Sequence, residues 1–194
     1  MSFEENNLYH IYNRGNNRQK IFFSNRNYYF FLKKIKLFIL PHCHLLSYCL
    51  MPNHFHLFIY ADERTIKPVH NSSLPPSNAL SDGIRQLLSS YTKAINKQEG
   101  RSGNLFQQNT KCKPVYKDEM RFGTLMDNAL YELDIFEYIH YNPVKAGLVT
   151  HPGDWLFSSF NEYRGLDNKN LCSKELANKL FLFKNTLPLL NLCP

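Results

Sequence analysis

Two histidines, His54 and His56, are separated by one residue in an apolar, aromatic-rich stretch of the sequence. Residues two apart in a strand point to the same face, so both imidazoles would lie on one side of a sheet. Imidazole nitrogens bind divalent metal ions, and an open site completed by water or a substrate oxygen suits a pair that lacks clustered cysteines. Two histidines on a solvated strand face are also commonly ordinary polar residues. The spacing alone leaves both interpretations open.

A phosphodiester polarised by such an ion needs a nucleophile, and two tyrosines are candidates. Tyr138 lies on a predicted helix, roughly 140° around the axis from the apolar stripe at Leu133, counting about 100° per residue. Asn142 lies one turn later and shares this outer face if the helix persists that far. Tyr91 is the rival, but it is in register with the apolar stripe of its own helix, which is typical of a core residue. A phenol that attacks phosphorus forms a phosphotyrosine and conserves the energy of the broken phosphodiester.

The elements that must position these residues follow from hydrophobic periodicity and from turn signals. Their predicted order is β, α, β, β, α, β, α. The predicted elements are a strand at 9–13, a helix at 25–40, strands at 44–50 and 54–61, a loop at 70–81 leading into a helix that ends near residue 100, a strand at 111–116, and a helix at 122–141 that stops at Asn142-Pro143. This order predicts an α+β, ferredoxin-like βαββαβ antiparallel sheet with helices on one face, plus a C-terminal catalytic helix and tail.

The composition is that of one ordinary globular domain, or of one domain with an appendage. The chain has 194 residues, of which 43% are hydrophobic and 20% charged, and this excludes collagen-like, coiled-coil and disordered chains. No apolar run approaches the roughly 18 residues of a membrane span, so we expect no membrane partner. The first residues lack the basic and apolar regions of an export signal, which predicts a cytoplasmic protein.

Charge and cysteine content narrow the class of partner. The formal net charge is +7, and an excess of cations on a small domain favours binding to polyanions, above all nucleic acid. The five cysteines are odd in number and widely spaced, without a Cys-x-x-Cys motif. A disulfide framework or a cysteine zinc site is therefore not expected.

Three separated segments resemble the single-tyrosine HUH transposases, and most closely their REP-associated tyrosine transposase branch. The segments are YHIYNRGNNR at 9–18, MPNHFHLF at 51–58 and YIHYNPVKAG at 138–147. The resemblance in order and spacing runs from about residue 9 to 160. It divides the chain into a transposase domain at 1–160 and a partly helical tail at 161–194, to which no role is assigned.

The resemblance implies a metal-dependent endonuclease and strand transferase that acts on single-stranded DNA carrying palindromic hairpin repeats. The cofactor would be Mg²⁺ or Mn²⁺, with His54 and His56 as ligands and Asn142 as a third polar ligand. Tyr138 would be the nucleophile and would form a 5′-phosphotyrosine. Both monomers and homodimers fit the family. The expected DNA-binding residues are Arg14, Asn16, Arg18, Lys111, Lys113 and Lys145.

Two other functions remain open at this stage. A ferredoxin-like protein that binds single-stranded nucleic acid without catalysis would stack bases on sheet aromatics such as Tyr12, Tyr48 and Phe58. A histidine-metal hydrolase would activate water with a nearby carboxylate, for which Asp62 and Glu63 are candidates. The first predicts binding without metal, and the second predicts cleavage without a covalent adduct.

Overall fold

The computed structural model describes residues 1–69, 77–115 and 125–181, with residues 125–132 and 181 described in the backbone only. The strands are β1 (Leu8–Arg14), β2 (His44–Met51), β3 (His54–Tyr60), β4 (Pro68–Val69), β5 (Ser77–Asn78) and β6 (Lys111–Val115). The helices are α1 (Asn25–Phe38), α2 (Glu63–Ile66), α3 (Ala79–Gln98), α4 (Leu125–Lys145), α5 (Phe160–Tyr163) and α6 (Lys174–Phe181). Within these ranges, no helix is long and apolar enough to cross a membrane.

Four strands form one sheet in the order β2-β3-β1-β6, and every neighbouring pair is antiparallel. Helix α1 connects β1 to β2, and α3 lies between β3 and β6, so the chain follows the βαββαβ plan. Strands β2 and β3 form the predicted hairpin, while β4 and β5 pair separately as a small insertion before α3. The predicted ferredoxin-like fold class is confirmed.

Helices cover both faces of the sheet. Helices α1 and α3 contribute to one hydrophobic core, into which β3 inserts Phe55, Leu57 and Ile59. Helices α4 and α6 pack on the opposite face, where Phe58 from β3 and Phe136 from α4 belong to a second hydrophobic core. The alternation of β3 therefore places its even-numbered residues, including both histidines, on the α4 side.

This double coverage buries two of the three aromatic side chains on which a sheet-face nucleic-acid binder would stack bases. Tyr48 and Phe58 are each 0% exposed, and Tyr12 is half-buried. The prediction that Tyr48 and Phe58 stack on bases is wrong, because each lies under a helical layer. An exposed aromatic sheet is the basis of RNA-recognition folds.

Helix α4 continues past the predicted stop at Asn142-Pro143 and ends at Lys145, with Pro143 inside its last turn. Proline has the backbone φ of a helix, but it lacks the N–H that would donate to the carbonyl four residues earlier, and its ring crowds that carbonyl. The amides of Ala146 and Leu148 still bond to the carbonyls of Asn142 and Pro143. Gly147, with φ +66°, adopts the left-handed conformation that terminates helices.

The start of α3 also differs from its predicted boundary. Helix α3 begins at Ala79, inside the segment predicted as a loop, because the Asn78 side chain accepts a hydrogen bond from the Ser81 amide at 2.8 Å and caps the helix. Residues 70–76 of that loop lie outside the described ranges, as do Tyr116 of the predicted strand and the predicted helix start at 122–124.

The segment after residue 160 packs on β2. Glu162, 1% exposed, accepts hydrogen bonds from the Tyr48 hydroxyl at 3.0 Å and from the amides of Leu171 and Cys172 at 2.9 and 3.1 Å. The Tyr163 hydroxyl donates to the Leu46 carbonyl at 2.5 Å. Residues 182–194 of the predicted tail lie outside the described part of the chain.

Candidate active site

The two histidines lie at the start of β3, beside the end of β1. The register pairs Arg14 with His54 and Tyr12 with His56, so all four side chains share the α4 face of the sheet. His54 is half-buried, and His56 is 5% exposed. The spacing of two therefore produces the predicted pair of imidazoles on one face.

The histidines line a cavity of about 560 Å³ between the sheet, α4 and the loop before β6. Its lining residues are Tyr12, Asn13, Arg14, Met51, His54, His56, Gln107, Asn109, Lys111, Tyr138, Asn142, Lys145 and Ala146. Three of these residues are cations, and none of the lining residues in the described part of the chain is a carboxylate. A concave surface of one sign attracts an anion, and a phosphodiester fits this requirement.

Burial keeps both imidazoles neutral. Burial, with a smaller effect of the Arg14 charge, lowers the pKa of His54 to about 4. Burial lowers the pKa of His56 well below its usual value, and the neighbouring His10, His54 and Arg14 have smaller effects in the same direction. A histidine must be unprotonated to bind a metal ion, and both rings meet this condition at neutral pH.

Each imidazole is held through its Nδ1 atom. The Nδ1 of His54 lies 2.6 Å from the Asn53 side-chain oxygen, and the Nδ1 of His56 lies 2.8 Å from Nε2 of His10. Among the residues that the structure describes, the buried Nε2 of His56 has no hydrogen-bond partner. An orphaned nitrogen in the lining of a cavity is the atom that a metal ion would satisfy.

The donor set fits a divalent ion with open coordination positions. It comprises two neutral imidazoles and the amide of Asn142, which is 8% exposed and contacts His54. No group of three or more His, Cys, Asp or Glu residues suited to a metal ion occurs within the described ranges. Substrate oxygens would therefore have to complete the coordination.

Tyr138 lies beside the histidine pair. Its side chain is 40% exposed, and its ring centroid is 5.8 Å from that of His56 in an edge-to-face arrangement. The Nδ2 of Asn142 donates to the Tyr138 carbonyl at 3.0 Å, and Nζ of Lys145 lies 5.0 Å from the Tyr138 ring centroid. Because α4 persists to Lys145, these three residues lie on one side of the helix.

The rival Tyr91 is a core residue. It is 0% exposed, its hydroxyl donates to the Ile21 carbonyl at 2.7 Å, and burial raises the pKa of its phenol far above the usual value. A buried, hydrogen-bonded phenol of this kind cannot reach a DNA phosphate. Of the two tyrosines, only Tyr138 lines the cavity.

The predicted DNA-binding residues separate into two groups. Arg14, Lys111 and Lys145 line the cavity, and Lys113 lies on the same sheet face, opposite His10 in the register. Asn16 and Arg18 lie in a short turn beyond β1. The Asn16 amide donates to the Asn104 carbonyl at 3.1 Å, so it secures the loop that forms one cavity wall. DNA contact by these residues stays a prediction.

The predicted site residues did not include His10, Asn53, Gln107 or Asn109, which also belong to the site. His10 is placed on the His56 face by the alternation of β1, a signal that is present in the sequence. Asn53 directly precedes His54. Gln107 and Asn109 come from an irregular loop, and no periodic signal identifies them.

The carboxylates proposed for a hydrolase are far from the histidines. Asp62 caps α2, forms an ion pair with Arg64 and lies 3.3 Å from Nε2 of His44. His54 is the first residue of β3, whereas Asp62 comes after the last residue of that strand. Asp62 is six residues after His56, and at the rise of an extended chain this separates the two by roughly 20 Å. The prediction that Asp62 or Glu63 activates water at this site is wrong, because the strand carries both away from it.

Comparison with solved structures supports the fold. One match is a structure described as a REP-associated tyrosine transposase bound to a REP hairpin. The TM-score is 0.58 at 18% identity, and the alignment covers 88% of this chain and 87% of that chain. No protein-family model and no curated protein matches the sequence. The likeness establishes that this chain has the fold of that transposase.

Proposed function

We propose that this protein is a REP-associated tyrosine transposase, a metal-dependent endonuclease and strand transferase that acts on single-stranded hairpin DNA. The observation that carries the proposal is the position of Tyr138, 40% exposed and edge-on to His56 in a cationic cavity. The motif resemblance and the structural match to a hairpin-bound transposase support the choice of DNA.

The chain's own residues would bind and orient the scissile phosphate. Arg14, Lys111 and Lys145 contribute the positive charge of the cavity, which attracts the DNA backbone. His54, His56 and Asn142 would hold Mg²⁺ or Mn²⁺ through neutral donors. When bound, the ion would supply Lewis-acid chemistry by polarising a non-bridging phosphate oxygen.

The covalent step is an in-line transfer from one oxygen to another. The Tyr138 hydroxyl oxygen attacks phosphorus, the bond from phosphorus to the 3′ oxygen breaks, and a 5′-phosphotyrosine forms. The phenol proton leaves to solvent, which the exposed ring can reach, and the departing 3′ oxygen takes up a proton. Attack by a 3′-hydroxyl on the same phosphorus reverses the step and rejoins DNA. The Lys145 ammonium favours the negative charge that develops between phenol and phosphate.

The test is covalent capture of labelled DNA. Wild-type protein is incubated with single-stranded hairpins drawn from repeats near the gene, with Mn²⁺ or with EDTA, and the products are separated on a denaturing gel. We expect a protein–DNA band that requires Mn²⁺ and disappears in Tyr138→Phe. Tyr141→Phe, three residues later on the same helix, is the matched control and should retain the band.

Two outcomes would contradict the proposal. An adduct that persists in Tyr138→Phe would assign the nucleophile to another residue. Binding of the hairpins without metal, equal in wild type and Tyr138→Phe and without any adduct, would indicate a binding protein without catalysis.

A further inference from the structure

His10 lies beside the histidine pair although it belongs to a different strand, 46 residues earlier in the chain than His56. Its ring is nearly coplanar with that of His56 and lies edge to edge with it, with centroids 5.0 Å apart and an interplanar angle of 24°. Its Nε2 lies 2.8 Å from Nδ1 of His56. The two rings are 9% and 5% exposed, so this hydrogen bond is shielded from solvent.

The direction of this hydrogen bond decides what His56 can do. If His10 accepts, His56 carries its hydrogen on Nδ1, and its Nε2 has a free lone pair. If His10 donates, neutral His56 must carry its hydrogen on Nε2, and the ring cannot bind a metal ion through that atom. In a neutral imidazole, one nitrogen donates and the other accepts.

The charges around the cavity favour the first arrangement. Arg14, Lys111 and Lys145 line it, and no lining residue in the described ranges is a carboxylate. A positive field stabilises a lone pair that faces it and opposes an N–H that does so. The Nε2 of His56 is also buried with no partner among the residues that the structure describes, so nothing there accepts a hydrogen from it.

The other histidine of the pair is held in the corresponding way. Asn53 donates from Nδ2 to the Arg18 carbonyl at 3.2 Å, which directs its side-chain oxygen towards Nδ1 of His54. An amide oxygen only accepts, so His54 carries its hydrogen on Nδ1 and presents Nε2 as a lone pair. Asn53 and His10 therefore occupy equivalent positions behind the two imidazoles.

We propose that His10 is a positioning residue that accepts a hydrogen bond from Nδ1 of His56 and holds its Nε2 unprotonated as a ligand. Hydrogen bonds behind a metal-binding imidazole fix its tautomer and orientation, and their removal typically weakens metal binding about 10- to 100-fold. That the ligand serves a divalent ion rests on the proposed function. The tautomer of His56 does not, and it can be measured without metal.

Three variants separate the hydrogen bond from ring packing. His10→Phe keeps an aromatic ring of similar size but removes the acceptor. His10→Gln supplies an amide oxygen near the position of the imidazole nitrogen. His44→Gln changes a histidine at the far end of the sheet and is the matched control.

The first measurement is the tautomer of His56 in the full-length, EDTA-treated protein, from long-range ¹H–¹⁵N correlation of imidazole nitrogens. We expect hydrogen on Nδ1 in wild type, His10→Gln and His44→Gln, and a shift towards hydrogen on Nε2 in His10→Phe. Hydrogen on Nε2 of His56 in wild type would overturn the proposal.

The second measurement is Mn²⁺ affinity from electron paramagnetic resonance. We expect His10→Phe to bind about 10- to 100-fold more weakly than wild type, and His10→Gln to recover most of the loss. Equal affinity in wild type and His10→Phe would overturn the positioning role. If wild type shows the expected tautomer and binds no Mn²⁺, the metal-dependent function fails while the assignment of the hydrogen bond stands.

Discussion

Lys145 lies two helical turns after Tyr138, and this spacing places its ammonium 5.0 Å from the centre of the tyrosine ring. A cation at this distance interacts favourably with the ring and with negative charge nearby. Its position on the last turn of α4 depends on the helix continuing through Pro143. In the proposed mechanism, Lys145 would therefore act in the chemical step as well as in DNA binding.

At the residue scale, we predict that Lys145→Gln slows formation of the covalent adduct about tenfold, which corresponds to about 1.4 kcal/mol of activation free energy. Lys145→Arg should retain most of the rate because it keeps the charge. The measurement is the single-turnover rate at saturating DNA, with Lys179→Gln on α6 as the control. An unchanged rate in Lys145→Gln would show that this lysine takes no part in the chemical step.

At the scale of elements, the C-terminal segment is joined to the central sheet by buried polar contacts. Glu162 on α5 accepts a hydrogen bond from the Tyr48 hydroxyl of β2. It also accepts hydrogen bonds from two backbone amides in the segment that leads to α6. One carboxylate thus links three parts of the structure. Helix α6 adds Ala177 to the core formed by α4 and the sheet.

We predict that Glu162→Ala lowers the free energy of unfolding by about 3 kcal/mol, because it leaves one hydroxyl and two amides without acceptors. Glu162→Gln should cost less, since its oxygen can accept from the amides while its amino group donates to the Tyr48 oxygen. Urea unfolding measures the change as a shift of midpoint at constant slope. Glu175 is exposed, so Glu175→Ala is the control. Its free energy of unfolding should lie within about 0.5 kcal/mol of the wild-type value. If Glu162→Ala matched Glu175→Ala, the contact would not contribute to stability.

At the scale of the whole molecule, the proposed function implies that charge would couple the metal ion to the DNA. The protein carries a net charge of +7, and the cavity combines three cations with neutral donors. A divalent ion in this environment is repelled until a phosphate neutralises it, so ion and DNA should bind cooperatively.

We predict that hairpin DNA raises the Mn²⁺ affinity of Tyr138→Phe, which cannot form the adduct, by about tenfold or more. By thermodynamic reciprocity, Mn²⁺ should raise DNA affinity by the same factor. Calorimetric titrations in both orders test this, and the coupling should vanish in Tyr138→Phe that also carries His54→Ala and His56→Ala. Equal Mn²⁺ affinity with and without DNA would show that the cavity charge does not oppose the ion.

The sequence by itself determined the features that depend on near neighbours in the chain. The alternation of a strand places His54 and His56 on one face, and helical periodicity directs Tyr138 away from the core and Tyr91 into it. The same local signals predicted the βαββαβ order. These features follow from backbone geometry, which each residue and its neighbours largely set.

Tertiary structure alone decided which distant residues meet. The β1–β3 register brings His10 to His56 across 46 residues, and packing of the tail joins Glu162 to Tyr48 across 114. Pro143 remains helical because the amides after it find acceptors in the last turn. The cavity wall at Gln107 and Asn109 is irregular and has no periodic signature. Such contacts are fixed by the packing of the whole chain, and no local pattern specifies them.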